Sequence, residues 1–428
     1  MIQQGTGHPT ADDDSAGTTG APDQPPPKNI VICLDGTNNL LDSHPTNAAK
    51  IFMMLDLDHP NDQLAYYDPG VGTLPAAGAI GKIGKAFSRF GGLAFGWGMQ
   101  TNVTQAYAWL MDRYRPGDRV YLFGFSRGAF TARALAGLLA RPGMLRAGSD
   151  NLVEYAVREY TKPARTKKAR ISRRREAKEF ADALCWGTAG QPVAAPPGTE
   201  PDAFLAALGR KDIHAVPIHY LGVWDTVEAW FGGIRKLDWV DTSSLWNVKT
   251  LRHAVAIDEW RLQFRYLPVT PRESFQEVWF AGVHCDVGGT FHNHDLARIA
   301  LKWVFEGAGD DLLLRDGEWE AEYRKFCTVV DDFDATNNPV NKDPWPYHLI
   351  GTVRRKIPAD AVLHASVRAR MQADSSYRLN RADPTAPLAW ADENWTEYVT
   401  APGARAAGAS RTGASGTGAN VTNVTRQT

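Results

Sequence analysis

The stretch RVYLFGFSRGAFTARALAGLLA, residues 119–140, constrains the fold most, because an apolar strand, a Gly-x-Ser-x-Gly turn and a small-residue helix follow one another without a gap. A strand that enters a helix through so tight a turn belongs to a βα unit, and this turn has the form of a nucleophile elbow. A serine hydroxyl becomes a usable nucleophile when it is held at a sharp, strained turn with its Oγ exposed, and Gly124 and Gly128 remove the side chains that would clash there. Ser126 is therefore the candidate nucleophile.

Short apolar runs alternate with helical patterns through the rest of the chain. Residues 28–34, 63–67, 119–125, 218–224 and 277–283 read as strands, several of them apolar on both faces as a buried parallel sheet requires. Each leads into Asp, Ser or His, and open α/β sheets bind ligands at the carboxyl ends of their strands. The expected fold class is α/β: a doubly wound, mostly parallel sheet of α/β-hydrolase type with helical insertions forming a cap or lid. Residues 1–27 and 401–428 hold hardly any large apolar side chains and are expected to be disordered. Between them, 28–400 reads as one domain with insertions near 73–98, 141–217 and 228–275. The first mixes Gly with apolar and basic residues and reads as a lid. Within the second, residues 162–178 carry nine Lys and Arg against one acid, Glu176, which fits either a solvated basic helix or a patch facing anionic lipid headgroups. The third, with Trp230, Trp239, Trp246 and Trp260, reads as a cap over the site.

Composition removes several classes of function. A net charge of -1 over 428 residues gives no general attraction for nucleic acid. The four cysteines, Cys33, Cys185, Cys285 and Cys327, form no C-x-x-C pair, which argues for free thiols over a zinc site or a disulfide framework. The chain opens without a Sec-type signal and holds no run of about 18 apolar residues, so synthesis and folding in the cytoplasm are expected.

A serine nucleophile needs a base to take its proton and a carboxylate to orient that base. In LGVWDTVEAW an apolar strand ends at Asp225, and in EVWFAGVHCDVGG a second ends at His284. The order Ser126, Asp225, His284 is the Ser, acid, His order of α/β hydrolases. Asp286, two residues beyond His284, is assigned to bracing the loop. His292, His294 and His348 are alternative bases, the first two lying in a polar segment where Asn293 or Asp295 caps the helix at Leu296. Acyl transfer also needs N–H groups aimed at the developing oxyanion; Arg127 supplies one, and Gly36 or Thr37, after the first strand, supplies the other. Asp35 there is either a supporting residue or the cap of a turn. LDGT also suggests an aspartyl phosphatase of D-x-D-G-T type, but Cys33 stands where that nucleophile would be. A metal site from His284, Asp286, His292 and His294 matches no standard spacing, and Asp331, Asp332 and Asp334 read as a solvated acidic loop rather than a calcium site. No metal or other cofactor is expected.

Five segments taken together resemble a known family: LDGTNN at 34–39, YYDPGVGT at 66–73, GFSRGAFTAR at 124–133, VWDTV at 223–227 and VHCDVGG at 283–289. The chain is similar over about 28–305 to bacterial and fungal α/β hydrolases that include phospholipase effectors of type VI secretion. The resemblance implies a triad of Ser126, Asp225 and His284 and hydrolysis of lipid esters, most often phospholipid acyl esters (A1/A2 type). For some members it also implies delivery by a contractile secretion system, with secretion-apparatus and immunity partners and contact with a membrane surface. Asn38, Cys285, Thr290 and Phe291 depart from the family's usual residues and leave the triad positions untouched. A soluble carboxylesterase acting on small esters and a non-catalytic interaction protein on the same fold are the alternatives.

Overall fold

The computed structural model describes residues 26–36, 44–70, 92–164, 166–187, 203–227, 239, 241–262, 264–315, 340 and 352–395. The two tails, most of the 73–98 insertion, Thr37, Cys327, His348 and the acidic loop at 331–334 lie outside these residues.

Eight strands form one sheet: β1 (Asn29–Leu34), β2 (Gln63–Asp68), β3 (Arg119–Phe125), β4 (Ile218–Trp224), β5 (Val248–Ala256), β6 (Phe275–Phe280), β7 (Val362–His364) and β8 (Ala389–Ala391). Their order is β2-β1-β3-β4-β5-β6-β7-β8, and every pair is parallel. The nine helices are α1 (Asn47–Met54), α2 (Gly92–Met111), α3 (Arg127–Ala140), α4 (Asp150–Thr161), α5 (Lys167–Leu184), α6 (Ala203–Lys211), α7 (His284–Gly288), α8 (Asp295–Glu306) and α9 (Ala365–Ala373) among the described residues.

Alternation along the strands builds two cores. In β1, Ile30, Ile32 and Leu34 join a cluster with α2 and α3, while Val31 and Cys33 join one with α1 and α8 on the other face. This is the doubly wound α/β arrangement expected from sequence. The chain runs outward from β1 to β2 and then back to β3, so the direction of winding reverses between β1 and β3. The carboxyl ends of adjacent strands part at that switch point, leaving the crevice in which such sheets place their chemistry. Helix α3 begins there, buried from Gly128 through Ala140. Its Arg133, fully buried, donates to the carbonyls of Thr242, Leu267 and Pro268 at 2.6–2.7 Å and so ties the helix to the loops around β5.

Two sequence readings need correction. Residues 228–275 are not all insertion, because Val248–Ala256 is an interior strand of the sheet between β4 and β5's other neighbour, β6. Lys249, Thr250 and Arg252 lie half-buried toward its start and disguise it as polar, whereas its second half, His253–Ala256, is fully buried. The strand read at 277–283 ends at Phe280, and Gly282, with φ of 121°, turns the chain so that His284 opens α7 instead of closing a strand. Within the basic segment, residues 167–178 lie in α5, whose buried residues are Phe180 and Ala181. Cys33, Cys185 and Cys285 are free thiols. No helix among the described residues is long and apolar enough to cross a membrane.

Candidate active site

Ser126 sits between β3 and α3 with φ 61° and ψ -121°, a backbone conformation that side-chain-bearing residues rarely adopt. Its N–H donates to the Trp224 carbonyl of β4 at 3.0 Å, which fixes the elbow to the neighbouring strand. The flanking glycines are required by contact. A Cβ on Gly128 would lie 2.1 Å from the Leu34 carbonyl oxygen and 2.5 Å from that of Asp35, and one on Gly124 would meet Ala129 Cα at 2.7 Å. The helix thus approaches the end of β1 as closely as backbone permits.

Asp225 follows β4 directly and His284 opens α7, and the structure brings both to Ser126. His284 Nε2 is 2.7 Å from Ser126 Oγ, and His284 Nδ1 is 2.5 Å from Asp225 Oδ2. The imidazole lies between the rings of Phe125 and Phe264, each 4.7 Å from it centroid to centroid, so its tilt is set by packing as well as by hydrogen bonds. Burial lowers the basicity of His284, and the hydrogen bond and charge of Asp225 only partly restore it.

Asp225 is completely buried, which by itself would favour its neutral form. Arg355 overrides that. Its guanidinium grips the carboxylate with Nη1 at 2.5 Å from Oδ1 and Nη2 at 3.1 Å from Oδ2, and together with His284 holds the carboxyl well below its usual range. Arg355 also donates to the carbonyls of Ala256 and Phe264, and Asp225 Oδ1 accepts the Ala256 N–H at 3.0 Å. Beneath the histidine, fully buried Glu259 accepts from the His284 N–H at 3.1 Å and from the Arg261 backbone and guanidinium at 2.7–2.9 Å. Neither Arg355 nor Glu259 was found by sequence reasoning. Arg355 lies in a run, Arg354, Arg355, Lys356, that reads as a solvated charge cluster, so no sequence signal marks it.

Asp35 is buried, with Oδ1 accepting the Gly36 N–H at 2.7 Å and Oδ2 accepting the hydroxyls of Thr46 and Tyr67. It braces the turn after β1, and the Gly36 N–H is engaged in that bracing. Arg127 opens α3, so its N–H stands at the positive end of the helix beside Ser126. Asp286 turns away from the imidazole, its Oδ2 accepting the Val283 N–H at 3.0 Å. His292 and His294 cluster with His44 instead, and Asn293 Oδ1 accepts the Asp295 N–H at the start of α8. Burial, with Lys50 and Arg298 nearby, pushes His294 down to about 4. Among the described residues, no group of three or more His, Cys, Asp or Glu side chains is arranged to hold a metal ion.

The family model described as "T6SS, Phospholipase effector Tle1-like, catalytic domain" matches residues 28–307, more than half of the chain. An uncharacterized protein of Saccharomyces cerevisiae, YEL023C, is 31% identical over 265 residues, spanning 60% of this chain and 35% of the relative. Among solved structures, an uncharacterized protein from Pseudomonas aeruginosa is similar with a TM-score of 0.37 at 18% identity, covering 74% of this chain and 51% of its own. A Tle1 effector solved bound to the VgrG spike of the type VI secretion system is similar with a TM-score of 0.32 at 18% identity, covering 62% and 52%. The chain thus spans about a third of the curated relative and about half of each solved neighbour.

Proposed function

The chain belongs to the family of type VI secretion Tle1-like phospholipase effector catalytic domains, and on that premise we propose that it is a metal-independent serine hydrolase that cleaves a phospholipid acyl ester, of A1 or A2 type. The observation that carries the reading is the unbroken chain of short contacts from Ser126 Oγ through His284 to Asp225. In the mechanism, His284 Nε2 takes the Ser126 proton as Oγ attacks the ester carbonyl. Asp225 stabilises the imidazolium that forms, and His284 then returns the proton to the departing lysophospholipid oxygen. Water, deprotonated by the same imidazole, cleaves the acyl-enzyme to free fatty acid and restores the serine.

The oxyanion forms at the N-terminus of α3, where the Arg127 N–H and the helix dipole meet it. The second donor comes from the turn after β1. Gly36 serves if its N–H exchanges Asp35 for the oxyanion, and Thr37 serves if it does not. Asp35, Gly124, Gly128 and Asp286 are supporting residues in this reading, and no cofactor takes part. Delivery through the type VI apparatus into a target cell, with secretion-apparatus and immunity partners and contact with a lipid surface, belongs to the same proposal. It rests on the family alone.

The test is hydrolysis of phospholipid vesicles in EDTA by the wild type and Ser126→Ala, with the products identified by mass spectrometry. Fatty acid and lysophospholipid are expected from the wild type, with a loss on the order of 10⁴- to 10⁶-fold in the variant. Equal activity in the variant would refute the serine mechanism. Cleavage of monomeric small esters with no gain on vesicles would shift the substrate to that of a soluble carboxylesterase.

A further inference from the structure

The far end of α3 carries a second feature that catalysis does not use. There a cavity of about 260 Å³ opens between the end of α3, the last turn of α4, one face of α5 and the loop before β5. Its lining residues include four arginines, Arg141, Arg170, Arg173 and Arg174, against two acids, Glu159 and Asp241, with Pro142, Tyr160 and Ala177 supplying apolar wall.

Each carboxylate faces a cation, though the one beside Glu159, Lys162, is held more closely by Glu176 at 2.9 Å. Asp241 holds Arg141 at 2.5 Å, and Glu159 faces Lys162 at 3.5 Å. Arg173 is anchored by donating to the Tyr160 carbonyl at the end of α4. Among the described residues, Arg170 and Arg174 make no ion pair within 4.0 Å. They stand one turn apart on α5, both solvent-exposed at the cavity's edge, so their like charges lie on the same face of the helix. The excess is felt nearby. Lys211 is pushed below its usual value by partial burial and by repulsion from Arg141, Arg272 and Arg174, against the attraction of Asp241.

We propose that this cavity is a binding site for a phosphate-bearing group, held by Arg170, Arg173 and Arg174. A phosphate offers oxygens on several sides and accepts guanidinium forks from successive turns at once, whereas a carboxylate is satisfied by one fork. The cavity lies just below the range of about 300–1,000 Å³ that takes drug-sized ligands, which suits a phosphate with a short substituent. It is not a substrate subsite. Helix α3 spans 14 residues between Ser126 and Arg141, a separation of about 21 Å at 1.5 Å per residue. The same chemistry is offered by a free phosphate ester and by a lipid phosphate headgroup, and the proposal stands apart from the proposed ester hydrolysis.

The experiment measures thermal unfolding and calorimetric binding with inorganic phosphate against chloride at matched ionic strength. It uses Ser126→Ala protein so that lipid is not consumed in the second arm. R170Q/R174Q is compared with K168Q/R175Q, which removes the same charge from α5 at residues that do not line the cavity. Phosphate is expected to raise Tm by about 2 °C in the parent and in K168Q/R175Q. Affinity is expected to fall about tenfold or more in R170Q/R174Q. Flotation with phosphatidylcholine vesicles containing phosphatidic acid, lost in R170Q/R174Q and kept in K168Q/R175Q, would identify the lipid headgroup as the source. Phosphate binding without such flotation would identify a free phosphate ester. The proposal is overturned if phosphate has no effect beyond ionic strength, or if both double variants lose binding equally.

Discussion

Replacing Arg355 with Met removes the cation that grips Asp225 and leaves a fully buried carboxylate with His284 and the Ala256 N–H as its partners. Breaking a buried pair from one side costs about 3–5 kcal/mol, because the remaining charge stays desolvated. The side chain of Arg355 is 8% exposed and that of Asp225 is 0%, so solvent screens little of that cost. The catalytic effect has a definite sign. The guanidinium's positive charge, across the shared carboxylate, opposes protonation of His284. Without Arg355, His284 takes up its proton at higher pH, so the base is lost at higher pH and the acid limb of kcat/KM moves up. Arg355→Lys keeps the charge, loses the fork and should leave the limb near its original place while still losing stability. Urea unfolding and a pH–rate profile on a soluble ester measure both quantities. A folded Arg355→Met protein with the wild-type acid limb would refute the reasoning.

In the wild type, burial holds His284 below its ordinary value, so kcat/KM should stay level through neutral pH and fall only below the usual histidine range; a limb above about 6.5 would contradict this. Gly128→Ala would set a Cβ 2.1 Å from the Leu34 carbonyl oxygen, with backbone on both sides and no flexible side chain to yield. Its urea midpoint should fall by the equivalent of about 2–4 kcal/mol. Asp225→Asn keeps the shape but offers an amide where Arg355 and His284 both donate, so kcat should drop by about 10³- to 10⁴-fold with KM nearly constant, as steady-state kinetics would show. Glu259→Gln should raise KM little but lower stability by about 2 kcal/mol or more, read from thermal unfolding, because the Arg261 charge beneath His284 loses its counterion.

Much of the arrangement was legible because it is local. The elbow from Arg119 to Ala140 follows from an apolar strand, two glycines and a helix of small residues, none of which needs a distant partner to be recognised. Asp225 and His284 stand out as polar residues at the ends of apolar runs, though the turn at Gly282 that swings His284 onto α7 was not visible. Strand β5 escaped notice because Lys249, Thr250 and Arg252 give its start a polar pattern, and only its place between β4 and β6 makes it a strand.

The sequence by itself determined the doubly wound sheet, the strained serine turn and the order of the three chemical groups, since periodicity and turn chemistry act over neighbouring residues. Tertiary structure alone decided what makes those groups work together. Arg355 reaches Asp225 from 130 positions away, Glu259 receives the His284 N–H from 25 positions away, and the ring of Phe264 closes on the imidazole. Residues beyond the family match at 307 supply the clamp and two strands of the same sheet. Such pairings depend on where the sheet register and loop packing bring distant charges out of water, and no local pattern in the chain encodes that position.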